Sequence, residues 1–275
     1  MIRLIVNADD YGHTRGVSAG IRESHLHGIV TSTTVMMNFP GVQADLARAR
    51  DDCPQLGLGV HLVLTTGRPL RPAENVPTLI TPSGKFPHVK DLPVQFAQID
   101  MHELRDEWRT QIEGFLASGH ILDHLDSHHH ASFLHEKVFK VMLQLAQEYS
   151  IPIRHPFGPS AWDSPFVQAL DTTMVTNIRE FAPRLLSQYP INHPDDMLTS
   201  FFGSSATLEH LMKLLDGLPE GTHELMCHPG YADDELRSGS SYAVEREREL
   251  SVLTDTSLSD IIKARELKLI SFAQM

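Results

Sequence analysis

Short apolar runs rich in β-branched residues recur along this chain, longer segments of helical periodicity separate them, and polar clusters fall where the apolar runs end. Residues 2–7 form the first run, cut off by Asp9, Asp10 and Gly12. The pattern predicts a buried strand carrying the acids at its C-terminal end. Residues 17–27 predict a helix closed by Gly28, residues 29–37 a second strand, and residues 43–50 another helix. A third strand is expected over 56–62, with His61 near its end. The pattern then changes: Pro69, Pro72, Pro77, Pro82, Pro87 and Pro93 interrupt residues 65–98, which read as an insertion loop of the functional or mobile kind. Helical spacing resumes over 101–116, where Leu104, Trp108, Ile112 and Phe115 share a face. A strand over 121–127 leads into three histidines, and 136–149 predicts a helix with Val138, Val141, Met142, Leu145 and Ala146 as its stripe. Then come a short strand at 151–154, a proline-rich stretch at 156–165 and a poorly legible region at 171–194. A strand at 197–202, a helix at 207–215, a strand at 224–227, a charged helix at 244–253 and a helix–strand pair complete the pattern.

Strands alternating with helices favour a parallel α/β fold. The expectation is a single domain, an irregular (β/α) TIM-like barrel with the 65–98 insertion, whose catalytic face is formed by the C-terminal strand ends. An open doubly wound sheet is the alternative, but no Gly-x-Gly-x-x-Gly turn follows the first strand. Neither linker nor repeat is visible.

Charge narrows the function classes. A formal net charge of −12 offers no broad attraction to nucleic acid or an anionic membrane, and leaves small neutral substrates unaffected. No segment reads as a signal peptide or a membrane span. Two distant cysteines, Cys53 and Cys227, demand no bridge, so a reduced, cytoplasmic chain is the simpler expectation.

The candidate chemistry is acidic and imidazole-based. Adjacent strand residues point apart, so Asp9 and Asp10 can share a site only where strand geometry relaxes, at the turn that follows; alone, the pair reads equally well as a turn or helix cap. His61 alone would more often be a hydrogen-bonded core histidine. In Asp126-Ser127-His128-His129-His130, an extended backbone would put Asp126, His128 and His130 on one side. Imidazoles and carboxylates converging at strand ends suit a divalent metal, whereas a solvated histidine loop is the plainer reading. Cys227 and His228 are consecutive and face apart, so Cys227 reads as an inert buried thiol and His228 as a candidate acid or base. No serine elbow, Walker loop, CxxC pair or His-Glu-x-x-His helix is present.

Five blocks taken together resemble the YdjC/ChbG family of carbohydrate deacetylases: residues 7–12 (NADDYG), 28–34 (GIVTSTT), 59–61 (GVH), 126–130 (DSHHH) and 226–230 (MCHPG), with Arg246-x-x-Glu249-Leu250 behind them. The resemblance spans nearly the whole chain and implies a distorted (β/α) barrel that releases acetate from N-acetylated amino sugars such as chitin oligosaccharides. By motif position it implies Asp10, His61 and His128 as metal ligands, Asp9 as general base and His228 as acid. Arg154, after the strand at 151–154, is expected to contact substrate, as is His130, which is the next candidate acid should His228 not serve. Tyr11 stands where the family usually has Phe.

One divalent ion is expected. Two imidazoles and one carboxylate suit Zn²⁺, the resemblance brings in Mg²⁺, and the metal stays open. The expected partner is a small acetylated sugar, with neither nucleic acid nor membrane, and a homo-oligomer stays open. The rivals are another metal-dependent amidase or phosphoesterase, a glycosidase, for which adjacent acids are ill placed, and a non-catalytic sugar-binding relic.

Overall fold

The computed structural model describes residues 1–155, 158–163 and 165–275; Pro156, Phe157 and Ser164, within the expected proline-rich stretch, lie outside the described residues. Among the described residues seven strands form one parallel sheet: β1 (Ile2–Tyr11), β2 (Ser32–Val35), β3 (Gly57–Leu62), β4 (Leu125–Ser127), β5 (Asp196–Leu198), β6 (Gly221–Cys227) and β7 (Leu267–Leu269). Their order is β4-β3-β2-β1-β6-β5, with β7 paired to the start of β1. Central β1 and β6 are buried on both faces, as a parallel sheet covered by helices requires. The sheet curls into part of a barrel. Among the described residues β4 and β5 do not pair. Leu125 bridges to Ile153, whose N–H donates to Asn192, and this irregular segment spans the gap. The expected barrel is therefore an open, half-barrel version of itself.

Helices Met101–Leu116 and Glu136–Tyr149 occupy the expected residues, because their apolar spacing is strong, and the charged helix Val244–Leu253 also forms where expected. Short strands were harder to delimit. The run at 29–37 contracts to Ser32–Val35, that at 121–127 to three residues, that at 197–202 to Asp196–Leu198, and that at 151–154 to a single bridge. Pairing partners, not local propensity, limit them. The poorly legible region holds helix Thr172–Gln188, capped by the Asp171 side chain and carrying Pro183 inside it.

The proline-rich 65–98 segment is built rather than loose. It contains short helical turns at Ala73–Asn75, Val89–Asp91 and Leu92–Gln95, and buries Val76, Leu79, Phe86 and Leu92. Helix Met101–Leu116 holds it with a polar stripe at i, i+4 and i+8. Glu103 accepts from Thr78 N (2.9 Å), Glu107 from Leu70 N (3.0 Å) and Arg71 N (2.9 Å), and Gln111 from Val63 N (2.9 Å). These side-chain oxygens satisfy backbone donors that no sheet partner reaches. Among the described residues no helix is long and apolar enough to cross a membrane.

Candidate functional site

All strands being parallel, their C-terminal ends meet at one edge, and a cavity of about 640 Å³ opens there. Asp9, Asp10, His61, His128, His130, His228 and Arg246 are on its wall. The first strand delivers both acids in an unexpected way. β1 does not stop before them; it runs through to Tyr11. Against β2, Ala8 pairs with Thr33 and Tyr11 with Val35, so Asp9 and Asp10 together oppose Thr34. That extra residue is a β-bulge, which breaks the alternation of side chains. Asp10 absorbs it with φ of +75°, a left-handed conformation that Asp tolerates better than most residues. Gly12, at φ +88°, completes the turn; a Cβ there would come within 2.6 Å of Val42.

Asp10 Oδ1 lies 3.3 Å from His61 Nε2 and 3.0 Å from His128 Nδ1, and those two nitrogens are 3.3 Å apart. Donor atoms each bound at about 2.1 Å to one ion stand roughly 3.0–3.4 Å from each other, so this triangle fits a divalent metal. Asp10 Oδ1 is buried and, among the described residues, has no partner in hydrogen-bond geometry, the condition of an atom aimed at an ion. His61 is oriented for the role: its Nδ1 meets Asp126 Oδ1 at 2.5 Å, which turns Nε2 toward Asp10. Burial lowers the His61 pKa, but Asp126, then Asp10 and Asp9, outweigh it and push it up to about 10. A second triangle, Asp9, His61 and Asp126, is also compact. There the Arg154 guanidinium sits on both carboxylates, so its positive charge opposes a metal.

Arg154 is fully buried beneath Asp9. Its guanidinium reaches Asp9 Oδ1 (2.6 Å) and Oδ2 (2.8 Å), Asp126 Oδ2 (2.8 Å) and Glu224 Oε1 (2.7 and 2.8 Å). Arg154, expected as a substrate contact, is not on the cavity wall; its donors point at the carboxylates. Burial raises the Asp9 pKa, but Arg154 more than reverses this and holds the carboxyl well below its usual range. Asp10 is treated likewise: Arg246 Nη2 reaches its Oδ2 at 2.5 Å and, with His128, outweighs burial. Both acids are therefore ionised.

His228 follows β6 and turns Nε2 toward Asp9 Oδ2 (3.8 Å) and Nδ1 toward Glu249 Oε1 (4.0 Å). Burial pushes its pKa down to about 4. With its pKa so lowered, the imidazole is neutral near pH 7. Glu249 accepts from the His228 backbone N–H and from the Tyr242 hydroxyl, and burial raises its own pKa to about 7. Close packing behind this corner depends on small residues: a Cβ on Gly20 would stand 2.5 Å from Gly230 Cα.

The histidine run does not stay extended. His129 and His130 take φ of +54° and +53°, so alternation ends at His128. His130 still borders the cavity, its pKa pushed down to about 3 by burial and by Arg154. Cys227 is a buried thiol raised in pKa, 3.4 Å from the Asn7 carbonyl, as expected of an inert one; both cysteines are free. The supporting roles of Asp126, Glu224, Arg246, Glu249 and Tyr242 escaped sequence reading. A signal existed for Glu224: a charge inside the apolar β6 run must meet a counter-charge when buried.

The model of the YdjC-like protein family matches residues 3–264. A carbohydrate deacetylase of Geobacillus stearothermophilus is 37% identical over 271 residues, covering 98% of this chain and 96% of its own. One from Brevibacillus brevis is 33% identical over the full length of both. Among solved structures, a candidate cellobiose-phosphate cleavage protein from Enterococcus faecalis V583 superposes with a TM-score of 0.86 at 32% identity, over 99% of this chain and 98% of that one.

Proposed function

The chain belongs to the YdjC-like family, and on that premise we propose that it is a carbohydrate N-deacetylase: a metal-dependent hydrolase that removes acetyl groups from N-acetylated amino sugars or chitooligosaccharides, such as diacetylchitobiose, releasing acetate. The observation that carries the metal-dependent part is the 3.0–3.3 Å triangle of Asp10, His61 and His128. These three residues would hold one divalent ion, Mg²⁺ or Zn²⁺. When bound there, such an ion polarises the acetyl carbonyl and makes a neighbouring water more acidic.

The chain's own residues do the rest. Asp9, kept ionised by Arg154, borders the cavity beside Asp10 and accepts the proton of the attacking water. His228 rests neutral, with Nε2 toward Asp9, so it can receive that proton and hand it to the departing nitrogen. An alkylamine cannot leave as an anion near neutral pH, which makes this delivery necessary. Asp126 orients His61, Arg246 restrains Asp10, and Glu249 holds His228 through its backbone N–H. The cavity, about 640 Å³, falls within the ~300–1,000 Å³ usual for small-molecule sites and admits a mono- or disaccharide. A single domain including the 65–98 insertion, and a cytoplasmic setting, complete the reading; two free, buried cysteines agree with a reducing compartment.

The test is a screen of N-acetylglucosamine, its short β-linked oligomers and acetylated polymers, with and without added Mg²⁺ or Zn²⁺. Acetate and a partly deacetylated sugar with intact glycosidic links are expected. Monosaccharide appearing before acetate, or no acetate from any sugar at any metal loading, would defeat the proposal.

A further inference from the structure

Three and four residues beyond β5, Phe201 and Phe202 part ways: Phe201 is fully buried, whereas Phe202 is 43% exposed. Among the described residues Phe202 is the one exposed large hydrophobic side chain on the cavity wall, which is otherwise lined mainly by histidine, serine, threonine and charged groups. It is held rigidly. Its ring stacks on Tyr242 at 4.3 Å between centroids with 10° between planes, and the Tyr242 hydroxyl accepts from Gly203 N at 2.8 Å while donating to Glu249. Phe202 also stands 5.5 Å, edge to face, from His228. A locked aromatic ring left partly wet inside a polar cavity gains by being covered with apolar surface.

We infer that Phe202 is the platform for the sugar ring, the C–H face of a pyranose stacking on its exposed ring; the identity of that substrate rests on the deacetylase reading above. The nitrogen that His228 would protonate is bonded directly to a ring carbon of an amino sugar. The pyranose must then sit within a few ångströms of His228, and Phe202 is the apolar surface present there. Such a pyranose presents axial C–H bonds to the ring and equatorial hydroxyls to the polar wall, where Ser240, Ser241 and Thr199 border the cavity. Because the contact is made equally in the ground state and the transition state, Phe202 sets KM and not kcat.

Two variants of the metal-loaded protein test this with diacetylchitobiose. Phe202→Ala should raise KM about tenfold while kcat changes less than about twofold, and Phe202→Trp should restore KM. In Phe202→Trp, titration with the same sugar should change the indole emission saturably. Unchanged KM in Phe202→Ala, with acetate release intact in the unsubstituted protein, overturns the platform and leaves the function standing. A saturable emission change in a protein that releases no acetate upholds the platform and defeats the deacetylase reading. A fall in kcat at constant KM also overturns it, by making Phe202 a brace for His228.

Discussion

Replacing Arg154 with Met tests the charge arrangement on which the site is built. Arg154→Met keeps most of the side-chain length and removes the guanidinium that five contacts of 2.6–2.8 Å join to Asp9, Asp126 and Glu224. Hydrogen bonds to charged groups contribute roughly 1.5–3 kcal/mol each when isolated. Their sum greatly overstates the loss, because the carboxylates can take up protons. The applicable figure is the ~3–5 kcal/mol for removing one partner of a buried ion pair. With an unfolding entropy of about 2.1 cal/mol/K per residue, a chain of 275 residues should then melt about 5–9 °C lower. Urea unfolding at pH 7 and thermal melting measure the two quantities. The loss should be coupled: Glu224→Gln in the same chain removes one of the stranded acids and should recover about 1–2 kcal/mol of it. Arg154→Lys keeps a charge but cannot fork across three carboxylates, so it should fall between. Activity should drop more than stability requires, because Asp9 loses its anchor. If Arg154→Met unfolds within about 1 kcal/mol of the unsubstituted protein, or if Arg154→Met and Glu224→Gln are additive, the clamp is not what holds these acids.

Asp10→Ala, His61→Ala and His128→Ala should each lose most bound divalent metal by elemental analysis, whereas Asp9→Asn should keep it and lose roughly 10²-fold in kcat; full metal content in all three alanine variants would remove the assignment. His228→Ala should retain metal and lose far more rate on an acetamido sugar than on an O-acetyl ester analogue, whose leaving group needs less protonation; equal losses would make His228 a positioning residue. Glu249 is fully buried with its pKa raised to about 7 from an ordinary 4.5. A raised acid holds its proton in the native state after the unfolded state has lost it, so stability declines as pH climbs from about 4.5 to about 7 and then levels. That decline is about 3 kcal/mol from this group. Glu249→Gln, which mimics the protonated acid, should flatten it in urea titrations at a series of pH values, and an unchanged slope would refute the shift.

What the sequence by itself determined was local. Apolar periods of 2 and 3.6 are written within a dozen residues, so helices Met101–Leu116 and Glu136–Tyr149, and the alternation of strand with helix, were legible. Because parallel strands all end at one edge, placing Asp9, Asp10, His61, His128 and His228 near strand ends was enough to expect them together, and they are. Weak three-residue strands and the Pro183-bearing helix were not legible, since their existence depends on neighbours remote in sequence. Only tertiary structure decided how the acids divide their work. A one-residue bulge, set by pairing of β1 with β2, aims Asp10 at two imidazoles while Asp9 meets a guanidinium 145 residues away. Arg246 reaches Asp10 across 236 positions, and Glu249 holds His228 from the next helical turn. Buried charges have to find opposite charges wherever the fold brings them, and no local pattern records that distance.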